Sequence, residues 1–129
     1  MNFTPENNDG TCIFVFGSNL AGRHGAGAAC TAWLFWGARY GAPEGRQGMS
    51  YAIPTKDQDL RPLGLPDIQI SVKTFLDYAT RHLELRFLVT KIGCGLAGND
   101  EADIRPMFKS APGNCVLPEG WGVSPNCLI

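Results

Sequence analysis

The sequence has no C-x-x-C pair, and its five cysteines (Cys12, Cys30, Cys94, Cys115 and Cys127) are odd in number and irregularly spaced. Neither a zinc ribbon nor a disulfide framework fits that pattern, so no metal site is expected and the cysteines read as reduced thiols of a cytoplasmic protein. Charge is sparse as well: 11 Lys and Arg oppose 12 Asp and Glu, spread along the chain, for a net charge of −1. Such a balance leaves no electrostatic footprint for duplex nucleic acid or an anionic membrane, and room only for a local basic pocket. Long hydrophobic runs are missing. None approaches the roughly 20 residues of a membrane span, and residues 1–10 lack the charged segment and apolar core of a secretory signal. No internal repeat and no domain boundary is visible. What remains is a chain of 129 residues, 44% of them hydrophobic, which predicts one globular domain over residues 1–129 with a core of its own.

Glycine, by contrast, is plentiful and placed where it matters. The stretch Phe14-Val15-Phe16-Gly17-Ser18-Asn19-Leu20-Ala21-Gly22-Arg23-His24-Gly25-Ala26-Gly27-Ala28-Ala29 runs from an apolar strand through a glycine-rich turn into a small-residue helix start. That order leaves backbone N–H groups exposed at the positive end of a helix dipole, a ready place for a phosphate. Two known phosphate fingerprints are nevertheless absent from it. A Rossmann turn needs G-x-G-x-x-G, whereas Gly22-x-x-Gly25-x-Gly27 runs in the reverse order, with no acidic ribose ligand on a second strand. A P-loop needs lysine and a hydroxyl after its last glycine. Gly17 and Gly22 have the P-loop spacing, but Arg23 and His24 stand in those two places. Hydrolysis of ATP or GTP is not expected.

Read in order, the apolar run 12–16 predicts a strand buried on both faces. Residues 26–40 predict a helix with Trp33, Leu34 and Trp36 on a heavy later face, ended by Gly37 and Gly41. Residues 42–49 read as a surface loop, and 50–55 as a strand that Pro54 must end or confine to an edge. After a second loop over 56–66, Asp67 is a candidate N-cap for a helix whose apolar stripe is Ile68, Val72, Phe75, Leu76, Ala79 and Leu83. His82 lies off that stripe and reads as a surface histidine. A strand over 86–92 ends in the glycine loop Gly93-Cys94-Gly95-Leu96-Ala97-Gly98. A short helix capped by Asn99 or Asp100 follows through Phe108, with Pro106 near its start or distorting it. A last strand over 114–117 and an irregular tail complete the chain. This alternation predicts a layered α/β fold with a mostly parallel or mixed sheet, in which ligands sit at the carboxyl ends of the strands. Two glycine loops and the Pro54-Thr55-Lys56 turn fall there together.

These motifs carry a resemblance. Phe16-Gly17-Ser18-Asn19, the Gly25-Ala26-Gly27-Ala28-Ala29 helix start, Tyr51-Ala52-Ile53-Pro54-Thr55-Lys56 and Lys91-Ile92-Gly93-Cys94-Gly95-Leu96 resemble a macro domain. The branch they resemble most contains terminal ADP-ribose protein glycohydrolase, with its G-A-G-I-A, I-T-K and I-G-C-G-L motifs. The ordered arrangement is also similar to small macro-domain-like proteins of phage genomes, which would place the chain in the host cytoplasm. The resemblance covers about residues 12–118. It implies an α/β/α macro-domain-like fold that takes ADP-ribose, or a related nucleotide, in a cleft over the strand ends, with no cofactor.

Carried onto this sequence, the resemblance makes Gly25, Ala26, Gly27 and Ala28 the first diphosphate loop. Gly93, Cys94, Gly95, Leu96, Ala97 and Gly98 become a second loop around the diphosphate and distal ribose. Asn19, beside Gly17 and Ser18, stands where macro domains set a polar residue near that ribose. Lys56, after Thr55, matches the lysine that attacks the anomeric carbon in the resembled hydrolase. The aspartate that assists it is replaced here by Ala97. A lysine attacks only as the neutral amine, and a second group must handle the proton. Asp57, Asp59 and Asp100 are the candidates in sequence. Lys56 is otherwise a cation that pairs with phosphate. His24 is left between contacting phosphate and capping the loop, and Cys94 between an activated thiol and a small buried one. Tyr40 and Phe108 are alternative stacking partners for an adenine, while Trp33, Trp36 and Trp121 read as packing residues. Two functions follow. The chain binds ADP-ribose or a similar nucleotide, sequestering it as a phage counter-defence module, or it hydrolyses ADP-ribose from a modified protein or nucleic acid.

Overall fold

A computed structural model of the chain describes residues 10–95 and 97–121. Five strands form one sheet in the order β2-β3-β1-β4-β5. They are β1 (Cys12–Asn19), β2 (Gly45–Gln47), β3 (Ser50–Lys56), β4 (Arg86–Val89) and β5 (Cys115–Val116), with helices α1 (Gly27–Phe35), α2 (Leu65–Arg81) and α3 (Glu101–Ile104) between them. β1 runs parallel to β3 and β4, and β4 parallel to β5; only β2, against β3, is antiparallel. The sheet is therefore mixed, as the alternation of elements predicts, with one more strand than the sequence disclosed.

The central strand explains the layering. Ile13 and Val15 of β1 join Ile68, Val72, Phe75 and Ala79 of α2 in the larger core. Phe16, on the other side, packs with Ala29 and Ala32 of α1 and with Ala52. Period-two alternation thus feeds two helix layers from one strand. Each fully buried Ile or Phe contributes roughly 1.5–3 kcal/mol relative to exposure.

Several boundaries differ from the expectations, each for a tertiary reason. β1 continues past Gly17 to Asn19 because Ser18 and Asn19 pair with Pro54 and Lys56 of β3. β3 is interior along Ser50–Ala52, but β2 pairs only with that part, so its outer side is already an edge at Pro54, where proline is tolerated. α1 stops at Phe35 rather than Tyr40. Its packing face is Ala29 and Ala32, small enough to bring the helix close to the sheet. Trp33 and Leu34 are consequently exposed, against expectation, whereas Trp36 is buried and stacks on Phe14 at 5.2 Å. α2 begins at Leu65 behind Gly64, and Asp67 serves in its first turn rather than as the cap, where its charge still favours the helix dipole. The stripe is buried as expected except for Leu83, which lies beyond the helix end and is exposed. β4 ends at Val89, and Pro106 falls in a 3-10 turn, Arg105–Phe108, after α3. Trp121, in the tail expected to be irregular, is buried against Phe108. No helix among the described residues is long and apolar enough to cross a membrane.

Candidate functional site

Because β1, β3 and β4 run parallel, their carboxyl ends lie on one edge of the sheet, and the loops that follow them meet there. The meeting point is tight. A Cβ on Gly17 would lie 3.3 Å from Thr55 Oγ1 and 3.4 Å from the Gly93 nitrogen, so all three sequence motifs touch at Gly17, Thr55 and Gly93. Thr55 also donates its hydroxyl to the Ser18 carbonyl at 3.3 Å. Thr90 ties the β4 end to β1 by donating to the Val15 carbonyl at 2.7 Å.

Over this floor opens a cleft of about 780 Å³, within the roughly 300–1,000 Å³ of small-molecule sites. One wall is the start of α1. Gly27, at φ +60°, makes the turn into the helix, and no side chain caps it. The first N–H groups of an α-helix have no intrahelical partner, so here they face the cleft with the dipole's positive end behind them. The opposite wall is the turn after β4. Gly93, at φ +73°, allows the Asn99 N–H and the Asn99 side-chain amide both to donate to the Gly93 carbonyl, at 2.9 and 3.0 Å, closing the loop on itself.

Of the residues expected at the site, Gly17, Ser18, Asn19, Gly25, Ala26, Gly27, Ala28, Thr55, Lys56, Gly93, Cys94, Gly95 and Ala97 line this cleft. Leu96 lies outside the described residues. Gly98 does not line the cleft, and neither does His24, which is fully buried. The His24 Nε2–H donates to the Arg39 carbonyl at 2.7 Å, its ring lies perpendicular to Phe16, and its buried Nδ1 has no hydrogen-bond partner among the described residues. Of the two roles considered for His24, holding the loop is the one these contacts fit. Asn19 is likewise engaged in scaffolding: its amide donates to the Arg23 carbonyl at 2.7 Å and accepts from the Arg23 N–H at 3.0 Å. Ser18 donates its hydroxyl to the Pro43 carbonyl.

Tyr40 lines the cleft, half-exposed, with Trp33 edge-on to it at 4.8 Å; Phe108 is buried in the core instead. Cys94 is half-buried at the cleft wall. Burial, with the nearby Glu101 carboxylate, holds its thiol above the ordinary value. Of the two roles considered for Cys94, the small, partly buried thiol is the one these surroundings fit. Among the described residues Cys30, Cys94 and Cys115 are free thiols, and no group of three or more His, Cys, Asp and Glu there could hold a metal ion.

Sequence reasoning missed Arg23, Leu60, Thr90, Lys91 and Glu101 as lining residues. Asp57, Asp59 and Asp100 do not line the cleft. Asp57 instead closes its own turn, accepting from the N–H groups of Asp59 and Arg61. The electrostatic result is simple: three cations (Arg23, Lys56 and Lys91) and, among the described lining residues, one carboxylate, Glu101. Glu101 accepts the Trp121 indole N–H at 2.7 Å on one oxygen and the Lys91 ammonium at 3.3 Å on the other. The indole bond first, then the lysine, holds its carboxyl below the ordinary range.

No protein-family model matches the chain, and no curated protein matches it in sequence. Solved structures do. The fold is similar to the macrodomain of Mycobacterium tuberculosis DarG, with a TM-score of 0.61 and 19% identity over 86% of each chain. It is also similar to a protein of unknown function from Bacteroides thetaiotaomicron, with a TM-score of 0.57 and 14% identity over 87% of this chain and 88% of that one. The five-stranded mixed sheet between helix layers, with its cleft at the carboxyl ends of β1, β3 and β4, is a macrodomain-like fold.

Proposed function

We propose that this chain binds ADP-ribose, or a nucleotide built like it, with the diphosphate held between the two glycine-rich loops. The observation that carries this reading is the convergence of the uncapped α1 start and the turn at Gly93 on one cleft. The cations in its wall favour a dianionic diphosphate, and Tyr40 offers an aromatic face to a base. Likeness in fold to a macrodomain supports the same ligand class. A binder without turnover would act by sequestration, the part a phage-encoded protein would play against a nucleotide-signalled host defence. Calorimetric titration with ADP-ribose tests the reading. Saturable one-to-one binding is expected, and no heat with any ADP-ribose derivative would remove it.

A second reading rests on Lys56, which lines the same cleft and would act as nucleophile in releasing ADP-ribose from a modified protein or nucleic acid. Its test is release of ADP-ribose by the wild-type protein and Lys56→Ala. On this reading the variant loses roughly a hundredfold or more in rate. Tight binding with no release by the wild type leaves the first reading alone.

A further inference from the structure

Glu101 is out of place in a cleft otherwise suited to an anion. A carboxylate beside a diphosphate costs binding energy unless it does something for another part of the ligand. Its setting keeps it in one form and one pose. Trp121 Nε1–H takes one oxygen and Lys91 Nζ the other, at 2.7 and 3.3 Å, and the indole that donates is itself buried. Each carboxylate oxygen can accept more than one hydrogen bond, and the side chain is 44% exposed, so acceptor capacity remains for a ligand. Its neighbour Lys91 offsets part of its charge toward the phosphates. The position is also asymmetric: Tyr40 packs against Trp33 of α1, whereas Glu101, on α3, bonds Trp121 of the core cluster to which α2 belongs.

We infer that Glu101 is a specificity residue that accepts hydrogen bonds from the vicinal hydroxyls of a ligand ribose and disfavours a ligand presenting a phosphate there. The inference rests on the nucleotide reading above. Paired hydroxyls match the two oxygens of an ionised carboxylate, the pairing by which acidic side chains read ribose elsewhere. A phosphate in the same place would meet like charge. Trp121 is a positioning residue: it touches no ligand and fixes the carboxylate plane.

The experiment is titration of wild type, Glu101→Gln and Trp121→Phe with ADP-ribose, ADP and 2′-deoxy-ADP. ADP lacks the second ribose and ends in phosphate; the deoxy analogue lacks a hydroxyl of the first. In Glu101→Gln the preference for ADP-ribose over ADP is expected to fall about tenfold, the size of a lost charged hydrogen bond, with ADP bound as well as or better than by wild type. A smaller fall in the same ratio is expected for Trp121→Phe. Should the ADP to 2′-deoxy-ADP ratio collapse instead, Glu101 reads the adenosine ribose, and the inference stands with its sugar assigned. Unchanged ratios in Glu101→Gln, including a parallel loss for all three ligands, overturn it and leave Glu101 a structural partner of Lys91. Wild-type protein that binds ADP but shows neither preference overturns the inference while keeping a nucleotide site. Wild type that binds none of the three overturns the proposed function and this inference together. ADP binding doubles as the check that each variant is folded.

Discussion

Replacing Gly93 by alanine, with Gly95→Ala beside it, separates two jobs that glycine does in the second loop. Gly93 sits at φ +73°, where an L-residue costs about 1–2 kcal/mol. A methyl there would also stand 3.2 Å from Asn99 Nδ2 and 3.4 Å from Thr55 Cγ2. Asn99 is not free to retreat, because that nitrogen donates to the Gly93 carbonyl at 3.0 Å, and weakening such a bond adds about 0.5–1.5 kcal/mol. The expected destabilisation is about 2–3 kcal/mol. Gly95 is the contrast. Its backbone is not left-handed, and an added Cβ meets nothing within 4 Å among the described residues. Alanine there mainly restricts the unfolded chain and stabilises by about 0.4–1 kcal/mol. Urea unfolding followed by circular dichroism reads both as a change of midpoint at constant slope, downward by about 1–2 M for Gly93→Ala and upward by a few tenths for Gly95→Ala. Gly95 also lines the cleft, so ADP-ribose affinity is expected to weaken in Gly95→Ala although stability rises. A Gly93→Ala protein as stable as wild type, or a Gly95→Ala protein less stable by about 1 kcal/mol, would refute the left-handed turn and the open wall.

Other outcomes are equally open to measurement. His24→Leu removes the bond to the Arg39 carbonyl and is expected to cost about 1–3 kcal/mol in urea unfolding, while ligand affinity is retained because His24 does not line the cleft. Cys94, its thiol held above the ordinary value, is expected to react with iodoacetamide at neutral pH more slowly than a free cysteine; ADP-ribose should slow it further, with mass spectrometry separating it from Cys30. The lowered Glu101 carboxyl makes its contacts with Trp121 and Lys91 a stabilising contribution that is present above the ordinary glutamate value and lost as pH falls through the folded one. The melting-temperature gap between wild type and Glu101→Gln should therefore close at acid pH; a gap that widens there would reverse the sign. Cys115 is buried with its thiol pushed up to about 12, so it is expected to stay unmodified until the protein is unfolded.

The sequence made much of this protein legible because its local signals agree with the fold. The apolar run over 12–16 is buried strand in the structure as well, and the stripe on α2 repeats at helical spacing. The glycines at 17, 27 and 93 mark places where the backbone must turn or approach another chain segment. Those features carried the α/β class, both glycine loops and the Thr55-Lys56 turn to one site. What escaped depended on contacts distant in sequence. Three residues of a glycine-rich loop became β2 only because Ser50–Ala52 offered them a partner. Trp33 was placed at the surface by the small alanines that bring α1 close to the sheet.

Glu101 is the sharpest case, since no motif marks a lone glutamate beyond the second glycine loop; its meaning comes from Trp121, 20 positions further along, folding back to donate to it. By itself the sequence determined where the glycine-rich turns and the helix start fall, because these are local properties. Only the tertiary structure decided which charges face the cleft, because side chains from separate loops acquire a common cleft only when the parallel strands align their carboxyl ends.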